Sequence, residues 1–273
     1  MQISTSLAEQ PSRVAVFVLL LVTAAAWWAV LAGNMTAMPA IAPAAGPDAM
    51  DSMGMGRIDS QAQVLDGMLT FLAGWAVMMT AMMLPSASPM VLLFDTAVAR
   101  QVSNAQRWAR TGVFALGYLV VWAAFGVPVY LASLALAMWL GSADAALFER
   151  WALGGILLFA GVYQFTSFKD VCLKACQSPL GFLMTHWHAG ITGALHTSIQ
   201  HGAYCVACCW AFMAVLVAVG AMSLPWVLAI ASLVAVEKLV PAWRATRGVI
   251  GVGFIALAII VVMAPNVVIS TRL

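Results

Sequence analysis

The stretch HGAYCVACC, residues 201–209, places one imidazole and three thiols within nine residues and runs straight into an apolar segment, residues 210–222. On a helix of 3.6 residues per turn, His201, Cys205, Cys208 and Cys209 stand at i, i+4, i+7 and i+8 and share roughly 100° of arc. One helix face therefore presents three sulfurs and an imidazole. Cys172 and Cys176 repeat the i, i+4 spacing on a predicted extension of the preceding span, so all five cysteines fall in two clusters. A single free cysteine packs as a small hydrophobe. Three on one face beside a histidine point to metal binding, with thiol redox chemistry and plain packing as the alternatives. Predicted on the cytosolic side, the clusters sit in a reducing compartment that disfavours structural disulfides.

The methionines select the metal. Thiolate and thioether ligands favour Cu(I), whereas zinc takes thiolate and imidazole and rarely thioether, so zinc ranks second. The segment WAVMMTAMMLPSASPM carries Met78, Met79, Met82 and Met83 as two i, i+4 pairs, with Trp75 and Met90 near the same face. Such a stripe is ordinarily core filler. Here the same softness recurs in Met35, Met38, Met50, Met53 and Met55 and in the thiols, outlining a soft-ligand route across the chain. A Cu(I) ion held by two thiolates carries one negative charge, costly near lipid. Lys169, Lys174 and Lys238 are predicted close in depth to offset it, or else act as interfacial anchors. Glu237 is either a buried ion-pair or proton partner or an interfacial carboxylate. Asp95 is read as solvated. Pro85 and Pro89 are expected to bend the helix past the methionines.

These residues must be held by a membrane fold. Hydrophobic residues are 64% of the chain and charged ones 8%, and the net charge of +2 is too small to suggest nucleic acid. Period-two alternation is absent, which excludes a barrel. The reading is an all-α polytopic transmembrane helix bundle of about seven spans, at 14–32, 67–94, 111–140, 151–168, 203–222, 225–241 and 248–264, with six if the short sixth does not cross. The first is a retained anchor rather than a signal peptide. Residues 185–202 extend the fifth span or form a re-entrant piece. Basic residues orient the chain with its N-terminus cytoplasmic and the 33–66 loop external. Residues 1–273 form a single membrane domain, with a flexible Met-rich outer loop at 33–66 and an inner Cys/His segment at 167–202. No Gly-rich phosphate loop and no Ser-His-Asp spacing is present, so no enzyme is expected.

Four stretches carry a family resemblance. They are Trp75-x2-Met78-x2-Ala81-Met82-Met83-x-Pro85 with Pro89; Tyr163-Gln164 followed by Lys169, Cys172, Cys176 and Pro179; His201-Gly202-x-Tyr204-Cys205-x2-Cys208-Cys209-Trp210; and Glu237-Lys238-x2-Pro241 followed by Arg247-Gly248. Together they resemble a family of bacterial predicted metal-binding integral membrane proteins that includes a tyrosinase-associated copper chaperone. One departure is Ala207, where the family pattern has Gly. The resemblance implies copper held in the membrane and passed to a copper enzyme or a soluble copper carrier. Cys205, Cys208, Cys209 and His201 are the primary ligands of this reading. Cys172 and Cys176 complete or relay the site, and Met78, Met79, Met82 and Met83 form a weaker one. Its main rival is a membrane thiol-disulfide oxidoreductase using Cys205/Cys208 and Cys172/Cys176. A second is an assembly subunit whose cysteines merely pack.

Overall fold

The computed structural model describes residues 12–32, 61–140, 145–219, 224–240 and 243–264. Among them every regular element is helical: α1 (Arg13–Leu31), α2 (Gln61–Ala99), α3 (Asn104–Leu140), α4 (Ala145–Tyr163), α5 (Ser167–Gln177), α6 (Pro179–His186), α7 (Gly190–Val219), α8 (Leu224–Leu239) and α9 (Trp243–Met263). The outer-loop methionines lie outside the described residues. Along the chain α1 packs on α2, α2 on α3, α3 on α7 and α4 on α9, while α5 and α8 wedge against α7.

Five helical stretches are long and apolar enough to cross a membrane: Arg13–Leu31, Leu65–Ala99, Asn104–Ala135, Gly190–Val219 and Arg244–Met263. A sixth arises only if Arg150–Tyr163 and Ser167–Gln177 are joined across a 68° bend. The seven spans expected from sequence are therefore not what these helices provide. The predicted span at 225–241 is α8, which has 16 residues, about 24 Å of helix against a hydrocarbon core of about 30 Å. The predicted span at 151–168 breaks because the Thr166 hydroxyl accepts the Lys169 N–H at 3.3 Å and starts α5 as a new helix on its own axis. By contrast α7 runs unbroken for 30 residues, so residues 190–202 are an extension of the fifth predicted span rather than a re-entrant piece.

Helix α2 continues as one element through both Pro85 and Pro89. Pro89 has no N–H to give the Pro85 carbonyl, and the Ser88 hydroxyl donates to that oxygen instead, at 2.7 Å. The seam between α3 and α7 is close. A Cβ on Gly202 would lie 2.9 Å from Val121 Cβ, so only glycine lets the two backbones approach there. Two apolar cores result. One gathers Met78, Met79, Met82 and Met83 with Cys172, Cys205, Cys208 and Cys209. The other is built on Met90, Phe94, Phe114 and Phe182.

Asp95, read from sequence as solvated, is fully buried. Its carboxylate accepts from Arg107 Nε at 2.9 Å, Arg107 Nη2 at 2.5 Å, the Thr111 hydroxyl at 3.1 Å and the backbone N–H of Ser12 at 3.2 Å. It thereby ties the start of α1 to α2 and α3. Removing one partner of such a pair strands the other charge. Asp95→Ala should cost about 3–5 kcal/mol, seen as a lowered unfolding midpoint in detergent. An unchanged midpoint would show that the clasp contributes nothing.

Candidate metal centre

The site begins with α5 and α7, two helices that each carry cysteines one turn apart and meet at their sulfur faces. The Sγ atoms of Cys176, Cys205 and Cys208 all lie within 4.8 Å of one another. Cys176 Sγ stands 3.7 Å from Cys208 Sγ, and Cys208 Sγ stands 3.2 Å from Cys209 Sγ. Cys209 thus borders the group through Cys208. Cys172, one turn before Cys176, is buried in the same core but outside the group of three. All five thiols are free.

His201 is also buried and outside the sulfur group. Its ring sits among Phe182, Tyr118 and Phe114, with centroids at 5.2, 5.7 and 6.4 Å. Its Nδ1 is buried without a hydrogen-bond partner among the described residues. A buried nitrogen left unspent costs stability unless something else uses it. Met78, Met79, Met82 and Met83 are fully or nearly fully buried in the core shared with the cysteines.

The sequence clusters did not reveal what surrounds Cys205. Lys238 Nζ, at the end of α8, donates to Cys205 Sγ at 2.9 Å and to the Ser86 hydroxyl of α2 at 3.2 Å. The Ser86 hydroxyl in turn donates to the Met83 carbonyl at 2.9 Å. The Tyr118 hydroxyl of α3 stands 3.0 Å from the same sulfur. Four helices thus converge on one thiol. Tyr118 and Ser86 carried no signal in the sequence beyond lying within apolar spans.

Of the three lysines predicted to offset charge, Lys238 touches sulfur. Lys169 is committed elsewhere: it pairs with Glu237 at 2.7 Å, both side chains 1% exposed, and its Nζ lies 4.3 Å from the Phe212 ring centre. Glu237 is therefore a buried ion-pair partner, and its backbone carbonyl accepts from Gln177 Nε2 as well. Lys174 is on the exposed side of α5. Adjacent residues of α8 thus do different work. Glu237 holds α5, which carries Cys176, and Lys238 holds α7, which carries Cys205. An ion pair between Arg247 of α9 and Asp170 fastens α5 from another side. The Ala207 backbone carbonyl accepts the Tyr163 hydroxyl at 2.6 Å, tying α4 to α7.

Glu237→Gln should leave Lys169 charged and buried, with a loss of about 3–5 kcal/mol by denaturant unfolding. Replacing both partners, Lys169→Met with Glu237→Leu, should recover most of that loss. A double variant no more stable than Glu237→Gln alone would show that the pair is not the unit that matters.

A family model described as PpoB2, copper chaperone, matches residues 72–261. No curated protein and no solved structure matches the chain.

Proposed function

The chain belongs to the PpoB2 copper chaperone family, and from that premise we propose that it is an integral membrane protein that binds Cu(I) through Cys176, Cys205 and Cys208 and passes it on. The observation that carries this reading is the convergence of three sulfurs from two helices within 4.8 Å. Thiolates are the ligands a soft monovalent ion prefers. In this reading Cys209 and His201 border the site as exchange ligands, and Cys172 stands one turn behind Cys176. The methionines of α2 supply weaker thioether ligands on the way in or out. The recipient is a copper enzyme or a soluble copper carrier.

Charge arithmetic supports a specific state of the site. Cu(I) with two thiolates carries one negative charge, and Lys238 at 2.9 Å from Cys205 brings the cluster to neutrality. Three thiolates would leave a net negative charge among apolar side chains, because Lys169 already serves Glu237. Two thiolates with the third sulfur as a neutral thiol is the balanced arrangement. The apolar outer faces of α1 and of the other long helices, for example Phe17, Leu20 and Trp28, support insertion in a bilayer. The basic residues where α2 passes into α3, Arg100, Arg107 and Arg110, support a cytoplasmic N-terminus and an inner-membrane location.

Protein purified anaerobically should hold copper, and the chain with Cys176, Cys205 and Cys208 replaced by Ser should lose it while keeping its helical circular dichroism. Copper content unchanged by the triple replacement would overturn the assignment. Lys238→Met removes the balancing charge but keeps a side chain of similar length. Its Cu(I) affinity, measured by competition with a chelator, should fall about tenfold, the effect of about 1.4 kcal/mol. An affinity equal to that of the parent would remove Lys238 from the site. Because bound thiols must be deprotonated, affinity should also fall as pH is lowered. A titration flat between pH 8 and about pH 6 would contradict thiolate ligation.

A second reading has one specific observation in its favour. Cys176 Sγ and Cys208 Sγ are 3.7 Å apart on different helices, near enough for a small rotation to bring them to bonding distance. A thiol-disulfide oxidoreductase would join them, releasing two protons and two electrons to a quinone-like or disulfide acceptor. Mass analysis after anaerobic isolation separates the two, since a Cys176–Cys208 disulfide in metal-free protein favours the redox reading.

A further inference from the structure

The N-terminal end of α7 and the turn before it carry a second cluster that the thiol site does not use. His188 and His196 are both solvent-exposed, and their Nδ1 atoms lie 3.3 Å apart. His188 Nδ1 also lies 3.0 Å from the backbone carbonyl of His186. A carbonyl oxygen only accepts, so His188 Nδ1 carries the proton here, and His196 Nδ1 faces that same N–H. Three electron-rich atoms therefore surround a single proton.

A tetrahedral d-block cation with Zn–N bonds of about 2.05 Å has ligand-to-ligand edges of roughly 3.3 Å. The 3.3 Å between the two Nδ1 atoms equals such an edge, and the 3.0 Å from His188 Nδ1 to the His186 carbonyl is slightly shorter. The surrounding backbone is fixed rather than loose. A Cβ on Gly193 would lie 2.3 Å from the His188 carbonyl oxygen, so the turn packs directly on the first turn of α7. Gly190 holds φ at +86°, which only glycine adopts freely. The Thr197 hydroxyl donates to the His186 carbonyl at 2.9 Å and orients it. This is the support that a metal-ligating carbonyl and imidazole pair need.

We propose that His188 and His196, with the carbonyl of His186, form a second metal site, open to solvent, for an imidazole-preferring cation, Cu(II) or Zn(II). On binding, the cation takes the place of the shared proton. His188 remains a neutral imidazole, its proton moving from Nδ1 to Nε2 through water, and solvent fills the remaining coordination positions. The site stands independently of the thiol centre, yet it lies on the approach to it. His186 stacks on Phe182 at 4.4 Å, Phe182 meets His201 edge-on at 5.2 Å, and His201 is one helical turn before Cys205.

The test uses the full chain with Cys176, Cys205 and Cys208 replaced by Ser, titrated with Cu(II) and separately with Zn(II). One ion per chain should bind. The Cu(II) form should give an electron paramagnetic resonance spectrum split by two nitrogens, and both binding and splitting should vanish in His188→Ala/His196→Ala. Copper without nitrogen splitting, or binding indifferent to the two histidines, overturns the proposal. Should the chain with the three Ser replacements not fold, the native chain is first filled with Cu(I) anaerobically and the additional Zn(II) is counted. One extra ion in the native chain and none in the double histidine variant supports the site, and equal counts sink it. Cu(I) retained by the thiols is unaffected in either case, so the two assignments fail separately.

Discussion

The contact between Lys238 and Cys205 is the interaction on which the rest depends. A lysine ammonium withdrawn from water needs a counter-charge or a strong acceptor, or it does not stay buried. Here the acceptor is a sulfur, at 2.9 Å, with the Ser86 and Tyr118 hydroxyls completing the surroundings. The neighbouring Glu237 solves the same problem for Lys169. Because these two residues are consecutive on α8, their side chains leave the helix about 100° apart and reach different partners. A helix too short to cross a bilayer alone thus becomes the fastening between α2, α5 and α7. The sulfur group exists where it does because α8 pulls its two contributing helices together.

This arrangement explains which parts of the site could be read in the sequence. The i, i+3 and i+4 spacing of Cys205, Cys208 and Cys209 is a local property of a helix, and all three are buried side chains of α7. The meeting of those side chains with Cys176 depends on the 68° turn after α4, which a hydrophobicity pattern does not encode. The Thr166 cap that begins α5 was legible in principle, because a threonine before a polar helix is a start signal. The roles of Tyr118, Ser86 and Lys238 depend on the register of four helices against one another, and no spacing within one segment records that. His201 shows the converse. It shares the helix face of the thiols, but aromatic side chains claim its ring.

Hydropathy alone misled in two places. It counted α8 as a span because its residues are apolar, though much of that apolarity serves contacts with other helices, such as Val227, Ile230 and Val234. It also treated Asp95 as an end-of-helix carboxylate facing water, although Arg107, twelve positions later, folds back to neutralise it. In both cases the missing information was a tertiary partner. The all-helical class and the apolar spans of α1, α2, α3, α7 and α9 needed no such information.

The central claim is that the converging thiols grip copper directly, and X-ray absorption at the copper edge of anaerobically loaded full-length protein reads this most plainly. The account predicts Cu(I) bound by two or three sulfurs, with one sulfur fewer or an added light scatterer once Cys176 becomes Ser. A spectrum of nitrogen and oxygen neighbours alone, or one identical in the native and Cys176→Ser chains, would contradict it.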